Sequence, residues 1–314
     1  MPVISRRTFG RMTGSGLAAA LPLASAIAKE NSDMPSGACD CHVHIIGPIA
    51  QYPMSPQRGY TPPEASVADL EALRRRLGVS RNVLIQPSFY GTDNRCMLDA
   101  LAQLSDSARG VAVVDPDIAD AELTDLDRRG VRGVRINLES GENRDPHVAA
   151  SALDAMAKRV RHLGWHIQIY AALPVVAAVA DRIAGLPVDV VIDHFGMAQA
   201  RDGIAQAGFA ALLDLLKAGR TYVKLSAPYR ISQQPGYADA AAIARALIAA
   251  APQRMLWASD WPHTDRTPGR KAFDIHPFRI IDDSLVLDLL AEWCGDKAVE
   301  RAILVETPAR LYRF

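Results

Sequence analysis

The sequence predicts one (β/α)₈ barrel behind a removable export segment. Three observations point there. Eight short runs rich in β-branched residues alternate with longer Ala/Leu/Arg-rich runs whose apolar positions recur at helical spacing. No linker, composition shift or internal repeat divides the chain after its first thirty residues, so 29–314 reads as one domain. Few architectures hold a single core of that size, and the α/β barrel is the commonest of them. A doubly wound open sheet is the runner-up and two ordinary domains the next alternative. The open sheet lacks the Gly-rich phosphate loop that should follow its first strand.

In chain order, the first feature is Ser-Arg-Arg-Thr-Phe-Gly-Arg-Met at 5–12, followed as far as Ala28 by an apolar, small-residue stretch with no acid. This is the twin-arginine export pattern, and Ala26-Ile27-Ala28 offers a peptidase site. Residues 1–28 are therefore expected to be a signal peptide and the mature protein periplasmic. Gly14, Ser15, Gly16 and Pro22 interrupt the stretch, which is too short to span a bilayer, and no later segment qualifies. Strands are expected at 38–44, 82–87, 110–115, 132–137, 166–170, 189–194, 221–226 and 254–259. Helices are expected near 64–77, 94–106, 119–129, 146–163, 174–185, 208–219, 237–251 and 284–293. Two long loops, 47–63 and 261–283, follow the first and last strands and should cover the face where barrel sites form.

Charge excludes some partners. The chain holds 35 Lys+Arg against 35 Asp+Glu, and losing residues 1–28 removes Arg6, Arg7 and Arg11 but no acid. The mature body is mildly acidic and lacks the basic excess that nucleic-acid binding requires. Cys39, Cys41, Cys96 and Cys294 are too few and scattered for a disulfide framework.

Polar residues collect at strand ends. In Asp40-Cys41-His42-Val43-His44 alternation should put Asp40, His42 and His44 on one face, with Cys39 and Cys41 on the other, beneath the helices. Asp193-His194 closes the sixth strand and Ser259-Asp260-Trp261-Pro262-His263 the eighth. The C-terminal strand ends of a barrel ring one pocket, so His42, His44, His194 and Asp260 should face one another across it. His147, His162, His166 and His276 read as surface residues.

The order H-x-H on strand one, D-H-x-G on strand six and S-D-W-P-H on strand eight resembles the amidohydrolase superfamily. Within it, the chain is most similar to the 2-pyrone-4,6-dicarboxylate lactonase branch, which includes sugar-lactone and sulfomuconolactone hydrolases and a galactarolactone isomerase. HVHIIGPIAQYPMSP, RNVLIQPSFYGTDN, VVIDHFG, YVKLSAPYRI and WASDWPH carry the resemblance, which runs from about Ala38 to Tyr312. It implies hydrolysis of a small anionic lactone, with Asp260 as general base for water and His42, His44 and His194 polarising the carbonyl. It further implies Arg135 and Arg230 as partners for substrate carboxylates, and Tyr60, Ser88 and Tyr170 beside them. Met197 and Glu139-Ser140-Gly141 stand where the dicarboxylate lactonases carry cations, which points to a less highly charged or differently shaped substrate than pyrone dicarboxylate.

Many members of the superfamily it resembles hold metal with a further histidine on strand five and a modified lysine on strand four; here strand five offers only Gln168 and strand four has no lysine, so a binuclear metal centre is not expected. The resemblance implies that no cofactor is required, because the pyrone-dicarboxylate lactonases work without metal; the alternative, as in some related lactonases, is one zinc on His42, His44 and Asp260. The rival functions are lactone isomerisation on the same scaffold and a non-catalytic periplasmic lactone- or sugar-acid-binding protein. The sequence carries no signal for an oligomeric state.

Overall fold

The structure, a computed structural model, describes residues 34–314, and the expected signal peptide lies outside the described residues. Eight parallel strands follow one another in chain order: β1 (Cys39–Val43), β2 (Arg81–Ile85), β3 (Ala108–Ala112), β4 (Val131–Asn137), β5 (His166–Tyr170), β6 (Val190–Ile192), β7 (Thr221–Ser226) and β8 (Met255–Ala258). The sheet curls until its ends meet. Asp260 N donates to His42 O (3.1 Å) and His44 N donates to Trp261 O (2.9 Å), joining β1 to the segment leaving β8. The result is the expected eight-stranded α/β barrel.

The crossovers carry α1 (Val67–Leu77), α2 (Arg95–Leu104), α3 (Asp120–Arg128), α4 (Pro146–Val160), α5 (Leu173–Ala178), α6 (Ala180–Ala184), α7 (Phe209–Lys217) and α8 (Ala241–Ala250), and α9 (Asp283–Cys294) follows the last strand. Local chemistry sets their ends. The Ser66 hydroxyl accepts from Asp69 N while the Asp69 carboxylate accepts from Ser66 N, a reciprocal cap that starts α1, and Gly78 stops it at φ 74°. The helix expected at 174–185 is two short helices, because Val179 leaves helical geometry (φ −106°, ψ 15°) between them. Two further helices, α10 (Lys297–Arg301) and α11 (Thr307–Tyr312), close the chain beneath the barrel.

Two apolar layers result. One strand face, including Leu84, Val134, Ile167, Val223 and Trp257, packs with helix residues such as Leu70, Leu153 and Leu212. The other face forms a small inner core from Val83, Ile85, Val111, Val191, Tyr222, Leu256 and Ala258, plugged by Tyr312 of α11. Cys39 and Cys41 belong to this inner core, which corrects the expectation that they lie beneath the helices. The reason is a bulge: Asp40 pairs with Asn82 but Val43 with Leu84, so three steps along β1 match two along β2. Strict alternation fails there, and Cys41 and His42 both reach the interior.

Two of the histidines read as surface residues are buried. His166 lies at 2% exposure with its ring edge-on to Tyr312, and His276 at 0%, its Nδ1 accepting from Thr267 N (2.9 Å).

Candidate active site

The strand ends bring the four predicted residues to one point. His42 Nε2 lies 3.5 Å from Asp260 Oδ1, His194 Nε2 at 3.9 Å and His44 Nε2 at 4.0 Å. Three imidazole nitrogens thus converge on a single carboxylate oxygen, and all four side chains are buried. His194 (φ 49°) and Asp260 (φ 68°) take left-handed backbone directly after β6 and β8. That costs about 1–2 kcal/mol for a residue with a side chain, and here it turns both side chains into the ring of strand ends. Asp40 holds the seam beneath them. Its carboxylate accepts from Ser259 N (3.0 Å), Ser259 Oγ (2.5 Å) and His42 N (3.2 Å), while burial pushes its pKa up to about 7.

The two oxygens of Asp260 differ. Oδ2 accepts from Tyr229 Oη (2.7 Å), Arg230 Nε (3.0 Å) and Arg230 Nη2 (2.7 Å), whereas Oδ1 has no hydrogen-bond partner. Burial alone would raise this carboxyl, but Arg230 and the imidazoles outweigh it and hold Asp260 well below the usual carboxylate range. Burial lowers His44 to about 4, with Arg135 adding to the shift, and lowers His194 to about 4 against the pull of Asp260. Both rings are neutral at pH 7. His44 Nδ1 sits 2.7 Å from the Ile85 carbonyl, so it carries the proton and donates there. The Nε2 of His44 therefore turns a lone pair toward Asp260.

Beneath this cluster lies a residue that the sequence reading missed. Lys224 of β7 is fully buried, and its Nζ donates to Gln168 Oε1 (2.7 Å) and lies 3.2 Å from His42 Nδ1 and 3.4 Å from Asp193 Oδ1. Asp193 also accepts from Gln168 Nε2 (2.9 Å) and stands 3.8 Å from Arg135 Nη2. Burial works to raise Asp193, yet Lys224 and His42 hold it well below its ordinary value. Burial lowers Lys224, with Asp193 resisting. Its one sequence signal was register: Lys224 follows the inward-facing Tyr222 by two residues, in a strand too apolar for a lysine without a partner. Tyr229, beside the predicted Arg230, was missed as well.

Above the cluster opens a cavity of about 550 Å³ lined by the other predicted residues. Arg135 is 7% exposed; its Nη1 donates to Gln86 O (3.2 Å) and its Nε has no partner. Tyr170 stands edge-on to His194, with the guanidiniums of Arg135 and Arg230 each 5.7 Å from its ring centre. Tyr60 donates to Thr264 Oγ1 (3.0 Å), and Ser88 borders the cavity from the turn after β2. On the far wall Arg144 is already paired to Glu139, Nη2 to Oε1 at 2.8 Å. His263 lies outside the cavity lining, 2.9 Å from Asp283 and 3.4 Å from Tyr229 Oη.

Metal-ligating groups coincide with this site. His42, His44 and Asp260 each offer a ligand atom within 4.8 Å of the others, and His42 Nε2 and Asp260 Oδ1 have no hydrogen-bond partner, so the set fits one divalent cation. His42, Asp193 and His194 form a second such group, but the Lys224 ammonium 3.4 Å from Asp193 repels a cation there.

Comparison with known proteins gives a consistent result. The amidohydrolase family model matches residues 39–314. The chain is 36% identical over 294 residues to the 2-pyrone-4,6-dicarboxylate hydrolase of Comamonas testosteroni, covering 90% of this chain and 92% of the relative. It is 36% identical over 285 residues to the 4-sulfomuconolactone hydrolase of Rhizobium radiobacter, covering 89% and 91%. A crystal structure from Pseudomonas putida matches with a TM-score of 0.76 at 31% identity, covering 89% of this chain and 98% of the other.

Proposed function

The chain belongs to the amidohydrolase family, and from that premise we propose that it is an enzyme that hydrolyses a small carboxylated lactone. The observation that carries this reading is the division of labour within Asp260. Tyr229 and Arg230 occupy Oδ2 and leave Oδ1 as a free, ionised acceptor facing three imidazoles. A water placed there donates to Oδ1 and accepts from the pocket, and Asp260 takes its proton as the water oxygen adds to the lactone carbonyl. The same proton then serves the ring oxygen as the ring opens. A carboxylate held this acidic is a weak base, so the leaving oxygen must depart as a stabilised enolate or alkoxide, which favours lactones over amides.

The imidazoles divide as well. His44 offers a lone pair and suits the water, which narrows the expectation that all three rings polarise the carbonyl. His42 carries its proton on Nε2 when Lys224 donates to its Nδ1, and His194 does so when its Nδ1 accepts from Ser226 Oγ (2.8 Å). These two can then donate to the developing oxyanion. Arg135, buried with an unused Nε, is the anchor for the substrate carboxylate.

A divalent cation on His42, His44 and Asp260 would supply Lewis-acid polarisation of the same carbonyl. We propose that none is required. Of the groups paired around the site, Lys224, Arg135 and Arg230 set three cations against the two carboxylates Asp193 and Asp260, with Asp40, raised to about 7, only partly ionised at neutral pH, a surplus that an anionic lactone neutralises and a dication would enlarge. The twin-arginine pattern and the start of the family match at residue 39 support removal of residues 1–28 and a periplasmic catalytic domain at 29–314.

Asp260→Asn tests the mechanism. The variant should fold and lose about 10²–10⁴-fold in lactone hydrolysis, the usual worth of a general base; full activity would refute the assignment. Reaction in ¹⁸O-water separates the rivals: one labelled oxygen enters the product carboxylate on hydrolysis, none on isomerisation, and saturable binding without product marks a binding protein.

A further inference from the structure

The opposite end of the barrel holds a second cavity that the reaction does not use. It encloses about 560 Å³ and is lined by Arg161, Arg220, Arg254, Arg310 and Arg313, with Asp189 as the one carboxylate among its lining residues. It lies at the strand entries: His166, which begins β5, borders it, whereas Tyr170, which ends β5, borders the lactone pocket.

The arginines outnumber their counter-charges: Asp189 acts on Arg254, Arg220 and Arg310, but only at longer range than a direct ion pair. Arg313 lies 3.1 Å from Asp127, a carboxylate it shares with Arg132 at 3.3 Å. Among the described residues, Arg161, Arg220, Arg254 and Arg310 have no carboxylate within ion-pair distance. Arg254 is held in place: its guanidinium lies 4.7 Å from the ring centre of Tyr222, one Nη donates to that phenol, and its buried Nε has no partner. Arg310 is fixed by donation to Gln253 O (2.9 Å). Buried His166 also borders the cavity, with neither ring nitrogen hydrogen-bonded.

Like charges gathered around one concave space repel one another, and an anion inside it would turn that repulsion into attraction. Guanidinium forks present paired N–H groups that match the oxygens of phosphate or carboxylate. We infer that this cavity is a binding site for a small multivalent oxyanion of the phosphate class. The size suits a compact ligand, and the cations surround a hollow rather than forming the stripe a nucleic-acid strand would follow. Occupancy should stabilise the fold by mass action, because the unfolded chain does not assemble the five arginines.

Calorimetric titration of the full chain with inorganic phosphate and with pyrophosphate, at fixed ionic strength, tests this. One saturable site that is tighter for pyrophosphate is expected, with a rise in melting temperature that chloride at equal ionic strength does not reproduce. Arg220 and Arg310 are exposed, so Arg220→Gln with Arg310→Gln should keep the fold and weaken pyrophosphate binding by at least about tenfold, the scale of losing a charged hydrogen bond. Arg135→Gln, in the lactone pocket, should leave that binding in place. Equal stabilisation by chloride, undiminished binding in the double variant, or loss of binding in Arg135→Gln would each overturn the proposal.

Discussion

Replacing Lys224 with methionine isolates the buried charge pair beneath the site. Both Lys224 and Asp193 have fully buried side chains 3.4 Å apart, and methionine fills most of the space of the lysine stem. The substitution leaves Asp193 inside the barrel with Gln168 Nε2 at 2.9 Å and Arg135 at 3.8 Å as its remaining support, besides His42 Nδ1 at 3.4 Å. Removing one partner of a buried pair costs about 3–5 kcal/mol, because the other charge stays buried without compensation. Against a typical total of about 5–15 kcal/mol, that is a large share of the stability. Adding Asp193→Asn removes the stranded charge, so the double variant should be more stable than the sum of the single losses predicts, by about 2 kcal/mol or more. Urea unfolding at pH 7, followed by fluorescence of the buried Trp165, Trp257 and Trp293, measures each step. A loss below about 1 kcal/mol for Lys224→Met, or strict additivity in the double variant, would show that the pair is not coupled and refute the reasoning.

Acidification should destabilise the protein between pH of about 6.5 and 4. His44 and His194 are held at about 4 and His166 at about 3, chiefly by burial, against an ordinary value of about 6.5. In that window the unfolded chain takes up protons that the folded chain refuses, so stability rises with pH; His42, also lowered by burial, acts in the same direction. Asp40, raised to about 7, opposes this as a single group, and a melting temperature that stays flat or climbs on acidification would contradict the balance. Dialysis against a chelator should leave lactone hydrolysis unchanged. Stoichiometric zinc on elemental analysis, together with loss of activity on its removal, would instead assign His42, His44 and Asp260 as its ligands. Edman sequencing of the protein from a periplasmic fraction should begin near Lys29, and Arg6→Lys with Arg7→Lys should hold the precursor in the cytoplasm; export unaffected by that change would rule out the twin-arginine route.

His42, His44, His194 and Asp260 were legible because each sits where a β-branched run stops, and a closed parallel barrel carries every such point to one rim. What stayed hidden depends on pairings between distant strands. The β1 bulge exists only relative to β2, so local alternation misplaced Cys39 and Cys41. The partners of Lys224 come from β1, β5 and the end of β6, and no window along the chain contains them. His166 reads as exposed at a strand entry until Tyr312, from a C-terminal helix that periodicity did not reveal, covers it.

Closing the barrel and assembling the site are one event. The hydrogen bonds that join β1 to the end of β8 involve the backbones of His42, His44 and Asp260 themselves, so strand pairing sets the spacing of the side chains that converge on Asp260 Oδ1. Asp40 reinforces the same seam with three hydrogen bonds, two from Ser259 and one from His42. The left-handed turn at Asp260 keeps its strain because the residue is fixed from both sides, by His42 O on its amide and by Tyr229 and Arg230 on its carboxylate. A base held in this way needs little reorganisation before water adds, which offsets part of the weakness of so acidic a carboxylate. The rigidity that fixes the fold at its seam therefore also makes a poor base usable against a lactone.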